Sequence, residues 1–241
     1  MGSLEGKTIL ITGAAKRVGR EMALAIARQG GNLVIHYNSS DDEAQQTKAD
    51  IEAQGVKAHL IKADLNDHDA TATIIPQALE FGPLYGLVHN ASIYAPVTIF
   101  ETDLASWNLH MNVHATSAFI LSKAFAEAVG KKEHARIVTM LDWRVLRPIK
   151  DHFPYTISKA TLAAMTESLA ASFAPNITVN GIALGAILPP TDQELAKGIK
   201  DVPANRWARL EEVTETLLFL LAGPEFITGE IIHVDGGRHL V

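Results

Sequence analysis

The chain has 241 residues, 47% of them hydrophobic, which suits one domain with a large core. Its formal net charge of −6 leaves no footprint for nucleic acid or an anionic membrane. The first seven residues lack the apolar core of a signal peptide, and no apolar run is long enough to span a bilayer. The absence of cysteine excludes disulfides, thiolate metal sites and cysteine nucleophiles, and makes a cytoplasmic location the expectation.

Residues 8–12, Thr-Ile-Leu-Ile-Thr, form a short apolar run that reads as a buried parallel strand. The run leads into Gly13-Ala14-Ala15-Lys16-Arg17-Val18-Gly19 and then a helical pattern from about 20 to 29, stopped by Gly30-Gly31. Strand, glycine turn and helix start put free backbone N–H groups and the positive end of a helix dipole at one spot, which suits a pyrophosphate. The loop alone is equally an ordinary strand-to-helix turn. A second strand at 32–37, following at the distance expected in a βαβ unit, favours dinucleotide binding.

Helical and strand patterns then alternate: a helix at 41–54, a strand at 56–62, a helix at 67–80 and a strand at 86–89. A long helix at 106–129, a strand at 136–141, a helix at 155–173, a strand at 177–182, a helix at 211–221 and a strand at 230–234 complete the series. The alternation predicts an α/β fold over residues 1–241: one doubly wound parallel sheet of about seven strands, Rossmann-like, with helices on both faces. The segment 184–206, rich in Pro, Gly and charge, has no clear period and is expected to be a substrate loop. The ten histidines show no metal-ligand spacing supported by carboxylates, so no metal is expected. His110 and His114 read as packing around Asn112.

Tyr155 and Lys159 stand four residues apart just after Pro154, at the head of a helical run. Positions i and i+4 share a helix face. A cation beside a phenol favours phenolate and lowers its pKa towards the working range, which makes a tyrosine useful as a general acid/base.

Together these motifs resemble the classical short-chain dehydrogenase/reductase family over nearly the whole chain. The resemblance implies a cofactor loop containing Gly13, Arg17, Val18 and Gly19, with His36, Tyr37, Asn38 and Ser39 at the end of the second strand. It places Asp64 and Leu65 against an adenine ring and matches Asn90-Ala91-Ser92 to the family's segment after the fourth strand. It also implies that Asn112 organises a proton-relay water, that Tyr155 is the acid/base, and that Lys159 lowers its pKa and holds the nicotinamide ribose.

Three departures sharpen this reading. Arg17 replaces a loop glycine. Tyr37-Asn38-Ser39-Ser40 lacks the acid that would accept from a ribose 2′-hydroxyl. Arg17, Ser39 and Ser40 instead offer donors to a 2′-phosphate, favouring NADPH, while Asp41 and Asp42 read as caps of the next helix. Finally, Asp142 stands where the family carries its catalytic serine. A carboxyl group can donate a proton to a ring nitrogen or bind it; alternatively, Asp142 pairs with Arg144 or caps a turn.

Arg17, His36-Tyr37, Asp142 and the tail Asp235-Gly236-Gly237-Arg238-His239-Leu240 resemble the pteridine reductases, including dihydromonapterin-reductase-like proteins. That resemblance implies hydride transfer to a dihydropterin (dihydrobiopterin, dihydromonapterin or dihydrofolate type), with Asp142 and Tyr155 supplying the proton. It places Tyr94 against the pterin ring, plain loop packing being the alternative, and Ser92 within reach of a cofactor phosphate or the pterin's polar edge. It also implies a homotetramer, in which Arg238 either reaches a neighbouring subunit's site or forms a surface salt bridge. Two other functions stay open: a carbonyl reductase of the same family, and an NADPH-binding sensor that catalyses nothing.

Overall fold

The computed structural model describes residues 2–130, 134–187, 199 and 201–241. The strands are β1 (Thr8–Ile11), β2 (Asn32–Tyr37), β3 (Ala58–Lys62), β4 (Leu84–His89), β5 (Ala135–Asp142), β6 (Ile177–Leu184) and β7 (Ile231–Val234). They form one sheet in the order β3-β2-β1-β4-β5-β6-β7, parallel at every pairing. The helices are α1 (Arg17–Arg28), α2 (Asp41–Glu52), α3 (His68–Phe81), α4 (Leu104–Met111), α5 (Ser117–Val129), α6 (Phe153–Phe173) and α7 (Leu210–Ala222). This is the expected doubly wound α/β architecture.

Residue alternation along the strands divides the core in two. Ile9 and Ile11 of β1 join Met22 and Ile26 of α1 and Leu217 of α7, whereas Leu10 joins Ile74 of α3 and Leu121 and Phe125 of α5. Helices therefore cover both faces, which is why β1 buries apolar side chains on both sides. Strand order reverses between β1 and β4, and in such sheets the crevice outside the carboxyl ends at that point is the natural ligand site.

Several boundaries differ from the sequence reading for local reasons. The predicted helix at 106–129 is broken by a π-helical turn at Asn112–Thr116, with Ser117 N–H donating to the Asn112 carbonyl. Such turns insert one residue and redirect side chains, and they carry no periodicity signal. β5 runs on to Asp142, followed by a 3-10 turn at Trp143–Val145. Asp41 lies in the first turn of α2 but does not cap it. Its carboxylate accepts from Lys62 Nζ at 2.7 and 2.8 Å and from the Tyr37 hydroxyl at 3.3 Å. Of the predicted substrate loop, residues 188–198 and 200 lie outside the described residues.

His36, fully buried on β2, ties the sheet to the glycine turn. Gly13 N–H donates to its Nδ1 at 3.2 Å, which leaves Nε2–H to donate to the Ala63 carbonyl at 3.1 Å. Burial lowers its pKa to about 4 and that of His89 to about 3. Both rings are thus neutral in the fold, whereas an unfolded chain protonates them near 6.5. Stability is therefore fully present above that value and is lost as pH falls towards the folded values, by up to about 1.4 kcal/mol per pH unit for each ring. Thermal melts from pH 7 to pH 5 are expected to show a falling midpoint, with a shallower slope in His36→Asn. A midpoint that stays flat over that window contradicts this assignment.

Candidate active site

At the carboxyl ends of the strands lies a cavity of about 940 Å³. Its floor is backbone, held by side chains that face away from it. Asn90 Nδ2 donates to the Thr12 and Gly13 carbonyls, each at 2.9 Å, and the N–H groups of Asn90 and Ala91 donate to Thr12 Oγ1 at 2.9 and 3.0 Å. Asn90 is thus a brace between β1 and β4. A Cβ at Gly19 would sit 2.3 Å from the Gly13 carbonyl oxygen, and one at Gly13 2.8 Å from Ala91 Cα, so the turn closes only with glycine at both positions. Helix α1 opens on this cavity with no side-chain cap and no acidic residue in its first turn. Its leading N–H groups and dipole are therefore available to an anion.

Arg17 begins α1 at φ 55°, the left-handed region that glycine occupies freely. Holding a side chain there costs roughly 1–2 kcal/mol. The Arg17 guanidinium is exposed and makes no hydrogen bond or ion pair among the described residues. Val18, Asn38 and Ser39 line the same end of the cavity. Tyr37 also borders it, but its ring is buried and its hydroxyl is directed to Asp41. Asp64 and Leu65 also line the cavity, Asp64 Oδ1 accepting from Asn66 N–H at 2.9 Å. Asn112 does not reach the cavity; its Nδ2 donates to Asn66 Oδ1 at 3.0 Å.

The other end is built where β5 meets the start of α6. His152 precedes α6 in a left-handed conformation, and Pro154 in the first turn supplies a fixed φ. This brings Tyr155 over the end of β5, where its hydroxyl donates to Asp142 Oδ2 at 2.9 Å. Both alternatives for Asp142 are realised as well. Its Oδ1 accepts from Arg144 N–H at 2.9 Å, capping the turn, and from Arg144 Nη1 at 3.2 Å.

Lys159, the expected partner of Tyr155, is held by the sheet. Its Nζ donates to the Met140 carbonyl at 2.7 Å, and burial lowers its pKa to about 8. Tyr155 is pushed well above the ordinary tyrosine value, first by burial and then by the charge and hydrogen bond of Asp142. The Tyr155 hydroxyl thus meets the Asp142 carboxyl, while the Lys159 ammonium is turned to the Met140 carbonyl.

Tyr94 is half-exposed at the cavity mouth, stacked on His152 with ring centroids 4.0 Å apart and edge-on to Tyr155 at 4.8 Å. One face of the expected stacking platform is therefore taken by His152. Ser92 Oγ lies 3.0 Å from His114 Nε2, which also accepts Ile93 N–H at 3.2 Å. The opposite nitrogen then carries hydrogen and donates to Ser158 Oγ at 2.7 Å. His114 is thus a hydrogen-bonded strut, and only the fold brings its partners from two distant segments together. Arg238 lies with its guanidinium 4.5 Å over the Trp143 ring of its own chain, lining the same cavity.

A family model described as "Enoyl-(Acyl carrier protein) reductase" matches residues 13–239. A short-chain type dehydrogenase/reductase from Picea abies is 29% identical, the alignment covering 98% of this chain and 93% of the relative. A 3-oxoacyl-[acyl-carrier-protein] reductase from Synechocystis sp. is 28% identical over 98% of each chain. The solved structure of FolM alternative dihydrofolate reductase 1 from Brucella canis, complexed with NADP, superposes with a TM-score of 0.91 at 32% identity, covering 98% of this chain and 95% of that one. By its match over residues 13–239 the chain belongs to the classical short-chain dehydrogenase/reductase family.

Proposed function

We propose that the protein is an NADPH-dependent reductase that converts a dihydropterin to a tetrahydropterin. The observation that carries this reading is the Asp142–Tyr155 hydrogen bond at the inner end of the cavity, in place of a serine–tyrosine pair. A carboxylate with a hydroxyl suits a ring nitrogen that must gain a proton, whereas a carbonyl oxygen asks only for donors.

The glycine cradle and the uncapped start of α1 fit a pyrophosphate. In this reading Arg17 and Ser39 meet the 2′-phosphate, and Asp64 and Leu65 flank the adenine. When bound, NADPH supplies the hydride. Tyr155, held by Asp142, delivers the proton to the ring nitrogen beside the reduced carbon, and Lys159 holds the nicotinamide ribose. Ser92 and Tyr94 border the pterin. The similarity to a solved FolM alternative dihydrofolate reductase supports the pterin class. A second reading, a carbonyl reductase acting on 3-oxo substrates, draws support from the likeness to a 3-oxoacyl reductase.

NADPH consumption with purified protein is expected with 7,8-dihydrobiopterin or dihydrofolate and not with simple ketones. Asp142→Ser should abolish it, and Tyr155→Phe should lower kcat by about 10²–10⁴-fold. Turnover of ketones alone would replace this reading with the second. Arg17→Glu is expected to weaken NADPH binding about 10–100-fold, the size of a lost charge-assisted hydrogen bond. In fluorescence titrations NADH affinity should be unaffected; equal loss for both nucleotides would remove Arg17 from the phosphate site.

A further inference from the structure

Arg144 has as yet no part in the chemistry, although it touches both Asp142 and Tyr94. It is the second residue of the 3-10 turn after β5, so its backbone N–H and its guanidinium both fold back on the carboxylate two residues earlier. Nη1 stands 3.2 and 3.3 Å from the two Asp142 oxygens, and Nη2 donates to the Tyr94 hydroxyl at 2.9 Å. The guanidinium also lies 5.1 Å from the Trp143 ring and 5.5 Å from the Tyr94 ring. The Arg144 and Asp142 side chains are 11% and 12% exposed, so water competes little for these contacts. Every hydrogen-bond partner of Asp142 among the described residues is a donor: Arg144 N–H, Arg144 Nη1 and Tyr155 O–H. Both carboxylate oxygens are thus used as acceptors.

We propose that Arg144 is a positioning residue, which by bridging Asp142 to Tyr94 fixes the carboxylate as acceptor for the Tyr155 hydroxyl and makes Tyr155 the proton donor. The inference rests on the dihydropterin reading for its chemistry. In the step concerned the Tyr155 O–H bond breaks, the proton passes to the ring nitrogen, and the adjacent carbon gains the hydride supplied by NADPH. Tyr155 then regains a proton from solvent, and Asp142 keeps its charge throughout. A phenolate formed against a lone carboxylate would be repelled by it. The guanidinium between Asp142 and Tyr94 offsets that repulsion, and its charge counters the rise in the Tyr155 pKa. The two-pronged contact with Asp142 and Tyr94 needs the planar fork of the arginine, which lysine lacks.

The test uses Arg144→Ala, Arg144→Lys, Asp142→Asn and the Arg144→Ala/Asp142→Asn double variant, assayed with NADPH and 7,8-dihydrobiopterin. Arg144→Ala is expected to lose kcat on the order of 10²-fold, as for a misplaced catalytic group, with KM nearly unchanged. Added guanidinium at millimolar concentration should restore part of that loss, and Arg144→Lys should fall between. The double variant should be no slower than Asp142→Asn. A raised KM at unchanged kcat would make Arg144 a substrate contact, and a lowered KM would make it a competitor for Asp142; either overturns the proposal, as does multiplicative loss in the double variant. A crystal structure of Arg144→Ala needs no substrate and keeps the two claims separable. The carboxylate is expected to swing away from Tyr155, and an unmoved Asp142–Tyr155 bond would overturn the role of Arg144 even if no dihydropterin is turned over.

Discussion

The hydrogen bond from Tyr155 to Asp142 is the contact around which this molecule is organised. It exists because β5 continues to Asp142 instead of ending short, and because the Tyr155 helix starts just after a left-handed His152 with Pro154 in its first turn. The two groups are 13 residues apart and belong to a strand and a helix, so their 2.9 Å separation depends on the sheet and α6 packing in one register. Burial raises the cost of ionising the phenol, and the neighbouring carboxylate raises it further. The site therefore stores a proton next to an anion, an arrangement fitted to protonating a base within a closed ring.

The other end of the cavity is made differently. Its recognition surface is backbone, and the polar side chains nearest to it are consumed in holding that backbone. Asn90 and Thr12 stitch β1 to β4, and His36 holds the glycine turn against β2. The uncapped start of α1 leaves its donors free, and Arg17 pays in backbone strain for a cation at the edge of the same surface. A rigid, side-chain-braced cradle at one end and a charged, hydrogen-bonded cluster at the other divide binding from chemistry along a single crevice.

Much of this was legible in the sequence because it is local. The glycine turn, the βαβ spacing, the tyrosine–lysine pair and the aspartate in place of serine are short patterns, and each falls where the fold puts it beside the cavity. What was not legible depends on contacts between distant segments. The phenol was expected to answer to Lys159, one helical turn away, yet it answers to Asp142, and Lys159 is held by a sheet carbonyl. Spacing on a helix shows which residues share a face but not which hydrogen-bond partner wins. His114 read as packing because its partners, Ser92 and Ser158, lie 22 and 44 residues away. The π-helical turn that presents it has no signature in apolar periodicity, and the cover that His152 lays over Tyr94 is equally a product of tertiary packing.

The most direct measurement is isotopic: incubate the enzyme with 7,8-dihydrobiopterin and NADPH deuterated at nicotinamide C4, then locate the label in the product by mass spectrometry and NMR. The account predicts one deuterium on the ring carbon that is reduced, and a solvent-derived hydrogen on the adjacent nitrogen. A reduced pterin without carbon-bound deuterium from either C4-labelled form of the cofactor would contradict hydride transfer at this site.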